Sequence, residues 1–344
     1  MRILHVLYSN RFSGAENVVC QIIGMFRDMP EIEMVYCSPD GQIREALAER
    51  GVEFAAMSDL TVAEVKRVIS ETQPDVIHAH DMRASFVAAR ACGKIPLISH
   101  IHNNAFDSRS ISPKSIAYLF AAKKAKRIIW VSQSAYEGYS FHKYFAKKSE
   151  VLQNIIDVDA LYAKMALDEG EYSYDVAYVG RLTYPKNPQR LMGVIAEMKK
   201  LKPDVKVAVV GSGDLEEETL KICREYGLED NTVFYGFLSN PFKILHSARS
   251  MIMVSRWEGT PMCALESMAL GVPIVSTPVD GLKALIEIGK NGYLSDDDCE
   301  LAKRAVEIAN DSELRARMSE YTADKARRIN DVSAYRERLL EAYR

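Results

Sequence analysis

Three features that many functional classes require are missing from this 344-residue chain. No window approaches the roughly 20 apolar residues that a membrane-spanning helix needs. The six cysteines include no close pair, so neither a cysteine metal site nor a redox couple is indicated, and we expect a reducing compartment. The 44 basic and 47 acidic side chains leave a net charge of −3, so the whole chain exerts no attraction for nucleic acid or membranes.

The composition is that of an ordinary globular protein, with 48% apolar and 26% charged residues. It excludes disordered, collagenous and disulfide-stapled classes. The length predicts two domains of about 150 residues each.

Short β-branched runs alternate with longer amphipathic stretches, which predicts an α/β protein with parallel sheets. The first series of predicted strands is Arg2–Leu7, Glu33–Cys37, Val52–Ala56, Val76–His80, Leu97–His102, Arg127–Val131 and Val151–Gln153. The second is Asp175–Val179, Val205–Val210, Val233–Tyr235, Met251–Val254 and Pro273–Ser276. We therefore predict one domain over residues 1–168 and another over 169–331, with a helix at 332–344 that packs back near the first.

Two cations follow the first strand of the second domain. Arg181 and Lys186 lie before Asn187 and Pro188, which form a good N-cap and first position for a helix. Cations beside a helix N-terminus suit a diphosphate, because the helix adds N–H donors and its positive dipole end. The alternative is two solvated surface cations, which would contribute little to folding.

A second candidate site follows the predicted strand Met251–Val254. Glu258 and Glu266 stand eight positions apart, and Thr260 is predicted to cap a helix that begins at Pro261. Carboxylates here could accept hydrogen bonds from hydroxyls, or Glu266 could merely compensate the helix dipole while Glu258 is a loop charge. The candidate binding residues at this helix start are Gly259, Thr260, Met262 and Cys263.

Taken together, these patterns resemble the retaining glycosyltransferases of family 4. The most specific motif is a Glu, seven residues and a second Glu, here Glu258 and Glu266. Supporting motifs are V-G-R-L at 179–182, K-N at 186–187, V-V-G-S-G at 209–213, G-A-E at 14–16, P-D-V-I-H-A-H at 74–80, I-P-L-I-S-H-I-H at 95–102 and V-S at 131–132. The resemblance implies the GT-B fold, in which two Rossmann-like domains face a central cleft that holds the active site.

The resemblance also implies a role for each matching residue. Arg181 and Lys186 would hold the donor diphosphate, Glu266 the ribose and Glu258 the donor sugar. From the first domain, His102 would line the sugar site and the loop at Gly14 would close on the phosphates or the acceptor. The nucleotide base would be held by the backbone of Tyr235, Gly236, Phe237 and Leu238.

The reaction implied is hexosyl transfer with retention of configuration, without cofactor or metal, in which the leaving phosphate accepts the acceptor's proton. The donor would be a nucleotide sugar, with UDP favoured over GDP. The acceptor would be a glycan or lipid-linked molecule in surface polysaccharide or glycolipid synthesis at the cytoplasmic membrane face. The acidic run 296–298 is predicted to begin a helix rather than to bind a metal.

Three positions depart from the family pattern. Asn154–Asp157 reads N-I-I-D and lacks the usual glycine, Ser13 replaces the first of two glycines, and Asn103 replaces a glycine after His102. These departures affect the expected acceptor and loop geometry more than the donor chemistry.

The segment 109–148 is strongly basic. Its nine basic residues against the single acid Glu137 give +8, and aromatic residues are interleaved with them. This mixture predicts contact with an anionic membrane surface, and the alternative is a solvated basic face. The segment carries no nucleic-acid recognition motif. Its basic residues are Arg109, Lys114, Lys123, Lys124, Lys126, Arg127, Lys143, Lys147 and Lys148.

Two other functions remain open on the sequence. The glycines Gly211 and Gly213 at a predicted helix entry suggest a dinucleotide oxidoreductase, although Glu216 stands where the third fingerprint glycine belongs. A non-catalytic subunit that binds nucleotide sugars is the other alternative. Both motif acids and both phosphate cations are present, which favours an enzyme.

Overall fold

The computed structural model describes residues 1–102 and 110–344. The chain divides into two compact units, the first formed by residues 1–155 with 331–344 and the second by residues 156–330. Each unit contains one parallel β-sheet flanked by helices. The α/β architecture with two Rossmann-like units is thus confirmed.

The first unit contains a seven-stranded sheet. Its strands are β1 (Arg2–Val6), β2 (Glu33–Pro39), β3 (Phe54–Met57), β4 (Val76–His80), β5 (Leu97–Ile101), β6 (Arg127–Trp130) and β7 (Ser149–Val151). Its helices are α1 (Gly14–Met25), α2 (Ile43–Ala48), α3 (Val62–Thr72), α4 (Asp81–Ala91), α5 (Pro113–Lys124), α6 (Gln133–Glu137) and α15 (Val332–Tyr343). The strand order is β3-β2-β1-β4-β5-β6-β7, so the direction of winding reverses between β1 and β4.

The second unit contains a six-stranded sheet. Its strands are β8 (Tyr174–Val179), β9 (Val207–Val210), β10 (Thr232–Gly236), β11 (Ala248–Met253), β12 (Ile274–Ser276) and β13 (Gly292–Leu294). Its helices are α7 (Val158–Ala166), α8 (Pro188–Leu201), α9 (Glu216–Glu225), α10 (Phe242–Ser247), α11 (Met262–Ala269), α12 (Asp280–Lys283), α13 (Asp298–Asn310) and α14 (Ser312–Ile329). The order β10-β9-β8-β11-β12-β13 reverses between β8 and β11.

Strand composition explains these sheets. Both faces of a parallel sheet are covered by helices, so the strands are continuous apolar runs. Val207–Val210, for example, is fully buried along its length. The first core includes Trp130 and Tyr118, and the second includes Met192 and Ile252. In the part of the chain that the structure describes, no helix is both long and apolar enough to cross a bilayer.

All twelve predicted strands occur, with ends within three residues of the prediction. The three-residue strand β13 was not predicted, because Gly292–Leu294 begins with a glycine and contains no β-branched residue. The division between the units lies at residue 155 rather than at 168, because α7 packs on the second unit. Tyr162 Oη donates to the Ala269 carbonyl at 3.1 Å, and Asn240 Nδ2 donates to the Lys164 carbonyl at 2.7 Å.

Candidate active site

The carboxyl ends of β8 and β11 lie side by side where the second sheet reverses its winding. In open parallel sheets this crevice is the usual place for ligands. The loop after β8 carries Arg181 and a single 3-10 turn, Tyr184–Lys186. The loop after β11 carries Glu258 and leads into α11. The two candidate sites of the sequence therefore belong to one place in the fold.

Lys186 and Glu258 form a buried ion pair. Lys186 Nζ lies 2.5 Å from Glu258 Oε1, and the side chains are 17% and 8% exposed. Ser255 Oγ donates to the same carboxylate oxygen at 2.6 Å. The Ser255 carbonyl in turn accepts a hydrogen bond from Thr277 Oγ1 at 2.9 Å. Glu258 is thus held by two donors, one of them charged, before any ligand binds.

Burial alone would lower the pKa of Lys186, because desolvation penalises its charged form. The negative charge of Glu258 and the hydrogen bond to it outweigh that penalty, so the pKa of Lys186 is raised. Lys186 therefore carries a permanent positive charge inside the site.

Arg181 differs from Lys186 in being exposed. Its charge is close enough to Lys186 to act on the pKa of that lysine, and its carbonyl accepts a hydrogen bond from Tyr178 Oη at 3.0 Å. The two cations predicted to bind a diphosphate therefore adjoin one another. Exposed Arg181 is accessible to a ligand, whereas Lys186 already forms an ion pair with Glu258.

The helix after Glu258 begins one residue later than predicted. Pro261 is the N-cap residue and α11 starts at Met262, with no side-chain cap. The expectation that Thr260 caps a helix beginning at Pro261 is wrong, because Pro261 has an extended backbone conformation. The first backbone N–H groups of α11 come four residues after Glu258 in the chain, and a helix N-terminus offers such groups to an anion.

Glu266 lies on α11 and is 8% exposed. The causes of the pKa shift of Cys263 show which charged groups lie near it. Burial raises the pKa of Cys263 to about 12, Lys186 opposes this shift, and the charges of Glu258 and Glu266 add to it. The lysine and both motif acids therefore converge around one turn of helix.

Two glycines allow the loops of this site to pack backbone to backbone. A Cβ at Gly281 would lie 1.4 Å from the Gly259 carbonyl oxygen. At Gly211, where φ is +138°, a Cβ would lie 1.9 Å from the Gly180 carbonyl oxygen. The V-V-G-S-G motif therefore supports the loop after β8, which is a structural reason for its glycines.

Asn187 and Arg256 tie the two loops together. Asn187 is the N-cap residue of α8 as predicted, but it has φ of 58° and its side chain caps no helical N–H. Its Oδ1 accepts a hydrogen bond from Arg256 Nη2 at 2.9 Å, and the Arg256 N–H donates to the Pro185 carbonyl at 2.8 Å. The loop after β11 thereby fixes the turn that carries Lys186.

The predicted base-binding residues are the last two residues of β10, Tyr235 and Gly236, and the two that follow it, Phe237 and Leu238. Tyr235 Oη lies 2.6 Å from Tyr174 Oη, Gly236 has φ of 64°, and Phe237 is 57% exposed. Leu238 is half-buried. This segment adjoins β9, whose following residue, Gly211, donates to the Gly236 carbonyl at 2.7 Å.

In the first unit, His102 follows β5 and is half-buried. Its backbone N–H donates to Asp81 Oδ1 at 3.0 Å, and burial lowers its pKa to about 3, so the ring is neutral at pH 7. Gly14 begins α1 with nothing within 4 Å of a Cβ position, so neighbouring atoms do not require a glycine there. Asn103 lies outside the described residues.

The acidic run 296–298 begins α13, as predicted. Asp297 Oδ1 accepts the Glu300 N–H at 2.9 Å, and Asp298 pairs with Arg190 at 2.6 Å. Ser255 and Arg256 were not predicted as site residues, because their roles depend on contacts that no local pattern shows.

Some side chains of the basic segment 109–148 are exposed and others belong to the core. Arg109 lies outside the described residues. Tyr118, Tyr139 and Phe145 belong to the core, so these three of the interleaved aromatic residues do not lie on the surface. Lys148 donates to two carbonyls. The exposed lysines include Lys114, Lys123, Lys124, Lys126, Lys143 and Lys147.

Several known proteins are similar to this chain. An uncharacterized glycosyltransferase of Methanocaldococcus jannaschii is 25% identical over 62% of this chain and 58% of its own length. The UDP-Gal:alpha-D-GlcNAc-diphosphoundecaprenol alpha-1,3-galactosyltransferase of Escherichia coli is 23% identical over 86% of this chain and 84% of its own. The crystal structure of Anabaena HepE in complex with UDP-glucose superimposes with a TM-score of 0.85, at 22% identity, over 99% of this chain and 98% of that one.

Two family models account for nearly the whole chain. The model of Glycosyltransferase Family 4 matches residues 12–160, and that of Glycosyl transferases group 1 matches residues 164–325. The motifs quoted above fall within these ranges, and the whole-chain similarity to HepE shows the fold. The protein therefore belongs to glycosyltransferase family 4 and has the GT-B fold.

Proposed function

We propose that this glycosyltransferase moves a hexosyl group from a UDP-sugar to a lipid-linked or glycan acceptor, with retention of configuration and without a metal in the transfer step. The observation that carries the proposal is the buried Lys186–Glu258 pair beside exposed Arg181, at the reversal of the second sheet. This arrangement offers cations for a diphosphate and a fixed carboxylate for a sugar hydroxyl.

The electrostatics of the site suit departure of a diphosphate. Negative charge grows on the leaving phosphate as the glycosidic bond breaks, and preorganised cations and N–H groups stabilise that charge. Lys186 and Arg181 supply the charges and the start of α11 supplies N–H donors. Glu258 is fixed by Lys186 and Ser255, so it can orient a sugar rather than act as a mobile base. The proposed contact of Glu266 with the ribose, and those of His102 and Gly14, rest on the family resemblance.

The relatives support the chemical class of both substrates. HepE was crystallised with UDP-glucose, and the matched Escherichia coli enzyme is a UDP-galactose-dependent transferase acting on a diphosphoundecaprenol carrier. A lipopolysaccharide 1,6-galactosyltransferase of Salmonella typhimurium is 22% identical over 82% of this chain. We propose that this chain likewise uses a UDP-sugar in assembling a surface polysaccharide or glycolipid, on the cytoplasmic side of the membrane.

A donor panel tests the function. Calorimetry should show binding of UDP and of one UDP-hexose, and slow hydrolysis of that donor should proceed in buffer without added Mg²⁺ or Mn²⁺. The anomeric configuration of the product, read by NMR, should match that of the donor. Binding of GDP-sugars alone would contradict the donor assignment, and NADH oxidation would favour the oxidoreductase alternative. Donor binding without hydrolysis or transfer would indicate the non-catalytic subunit.

We further propose that α5 and the segment 142–148 meet an anionic membrane surface. On α5, Ile116 and Phe120 are 53% and 49% exposed and lie one turn apart, near exposed Lys123. Tyr144 is 81% exposed between Lys143 and Lys147. Apolar side chains flanked by lysines are typical of interfacial binding.

Vesicle sedimentation tests this surface. Replacing the exposed lysines Lys123, Lys126, Lys143 and Lys147 by Gln should weaken binding to phosphatidylglycerol vesicles, most strongly at low salt. Exposed Lys200, Lys206, Lys221 and Lys303 of the second unit provide a matched control when replaced together by Gln. Equal binding of both variants would remove the membrane proposal and leave a solvated basic face.

A further inference from the structure

Five of the seven histidines in the chain gather on one face of the first sheet. His5 lies on β1, His78 and His80 on β4, and His100 and His102 on or just after β5. His5 is in register with His78, and His80 with His100. Residues two apart in a strand share a face, so all five rings lie on the same side. Ring centroids of neighbouring histidines are 4.2–5.5 Å apart.

The hydrogen bonds within this cluster are too few for its nitrogens. His5 Nδ1 lies 3.0 Å from His80 Nε2, and His80 Nδ1 lies 2.8 Å from His102 Nε2. His78 Nδ1 lies 2.9 Å from Tyr343 Oη. Among the described residues, the remaining ring nitrogens are buried and have no partner, namely His5 Nε2, His78 Nε2, both nitrogens of His100, and His102 Nδ1.

This deficit calls for an explanation. An unsatisfied buried polar atom destabilises the folded state, and most such atoms in native proteins find a partner. Neutral imidazole nitrogens are the commonest metal ligands in proteins, and a ligand set made only of imidazoles suits Zn²⁺ and its neighbours Co²⁺, Ni²⁺ and Cu²⁺. His5, His78 and His80 are buried, and burial favours the neutral form of an imidazole, which is the form that binds a metal.

We propose that His5, His78 and His80 bind a divalent transition metal of the Zn²⁺ type. Their ligand atoms lie within 4.8 Å of one another. In a tetrahedral site with metal–nitrogen bonds of about 2.0–2.1 Å, the nitrogens are about 3.3 Å apart. The 3.0 Å between His5 Nδ1 and His80 Nε2 is already close to this value.

The outer hydrogen bonds favour this trio over the second group, His80, His100 and His102. Metal-bound histidines usually donate their other N–H to an outer partner. When His80 ligates through Nε2, its Nδ1–H can donate to His102 Nε2, and when His78 ligates through Nε2, its Nδ1–H can donate to Tyr343 Oη. Among the described residues, both nitrogens of His100 and Nδ1 of His102 lack such a partner, whereas in the first trio only the outer nitrogen of His5, Nε2, lacks one. The proposal is independent of the glycosyltransferase chemistry, which uses no residue of this trio.

Metal binding by the purified full chain tests the proposal. After equilibration with ZnCl₂ and gel filtration, we expect about one Zn²⁺ per wild-type chain by elemental analysis. With CoCl₂ we expect the intense visible bands of a tetrahedral nitrogen-ligated ion. The variant His80→Gln should lose both signals. The double variant His142→Gln and His246→Gln, which removes the two histidines outside the cluster, should keep them. A wild-type chain that retains no Zn²⁺ would overturn the proposal.

Two further variants decide the geometry. His5→Gln should abolish metal retention and His100→Gln should preserve it, and the reverse result would overturn the choice of trio. Tyr343→Phe keeps the phenyl ring but removes the outer hydrogen bond, so affinity should fall about tenfold. An affinity unchanged in Tyr343→Phe would contradict the assigned outer contact of His78. Circular dichroism checks that each variant is folded, and the wild-type measurement decides the matter even if a histidine variant is not.

Discussion

The strand order of each sheet reverses direction once, and different residue types lie at the two points of reversal. Beside β8 and β11 lie charges, with Lys186 paired to Glu258 at 2.5 Å and Arg181 exposed nearby. Beside β1 and β4 lie neutral rings such as His5 and His80, whose pKa values are lowered by burial. The same strand topology therefore provides a crevice in each unit. The residue types at the carboxyl ends of the strands determine whether that crevice can bind an anion.

The largest difference should appear on removing Lys186. An exposed lysine would contribute little to folding, but Lys186→Ala leaves Glu258 buried without its counter-charge. We expect turnover to fall about 10²–10³-fold and the free energy of unfolding to fall by about 3 kcal/mol. Steady-state kinetics at saturating donor and urea denaturation measure the two effects. The double variant Lys186→Met, Glu258→Gln should recover stability but not turnover. Near-wild-type turnover in Lys186→Ala would remove this residue from the phosphate site.

Removing the exposed cation Arg181 should lower turnover without lowering stability, unlike removing the buried cation Lys186. Because Arg181 is exposed, Arg181→Ala should lower turnover about 10- to 100-fold while the melting temperature hardly moves. Exposed Arg224 on α9 is the control, since its replacement by Ala should change neither quantity. A drop in melting temperature comparable to that of Lys186→Ala would contradict the distinction between the two cations.

The two motif acids should differ in which part of the donor they affect. Free UDP carries ribose but no sugar, so Glu266→Ala should weaken UDP and UDP-sugar alike, and Glu258→Gln should weaken only the UDP-sugar. A hydrogen bond to a charged group is typically about 1.5–3 kcal/mol, or roughly ten- to a hundredfold in affinity. Calorimetry with both ligands resolves this. Equal loss of free UDP in the two variants would show that the roles are wrongly assigned.

Replacing a histidine of the neutral cluster should destabilise the protein less than replacing Lys186 does. Both ring nitrogens of His100 are buried and have no partner among residues 1–102 and 110–344, so His100→Leu removes unsatisfied groups while nearly keeping the volume. We expect metal-free His100→Leu to be as stable as the wild type or more stable by about 1 kcal/mol in urea denaturation. Destabilisation by several kcal/mol would mean that the cluster depends on this imidazole for packing or hydrogen bonding.

The smallest effect concerns an exposed carboxylate of the second unit. Hydrogen bonds from Lys325, Tyr321 and Lys290 lower the pKa of Glu287 from 4.5 to about 2. A lowered carboxyl pKa stabilises the folded state fully above pH 4.5, and this contribution is lost as the pH falls through about 2. The melting temperature of Glu287→Gln should therefore lie slightly below that of the wild type at pH 7 and converge with it towards pH 2. A difference independent of pH would contradict the titration of Glu287.

The sequence predicted the sheets better than the site contacts. Strands such as Val207–Val210 are local apolar runs, and such runs are visible along the chain. The ion pair joins residues 72 positions apart, so its partners were identified as separate candidates but their contact was not. Ser255 carries no local signal at all. The histidines do leave a trace, since His78 and His80, like His100 and His102, are spaced to share a strand face, but their convergence needs the strand order.

The position of α15 in the chain sets the order in which the two units can finish folding during translation. Residues 331–344 belong to the first unit although they follow the second in the chain. Tyr343 contacts His78 at 2.9 Å, and Arg338 contacts Glu150 at 2.6 Å, so the first sheet is covered by a segment translated after the second unit. Because domains fold as they leave the ribosome, the second unit has all its strands before the first unit has α15. We expect a nascent chain stalled before residue 331 to expose the surface of the first unit that α15 covers.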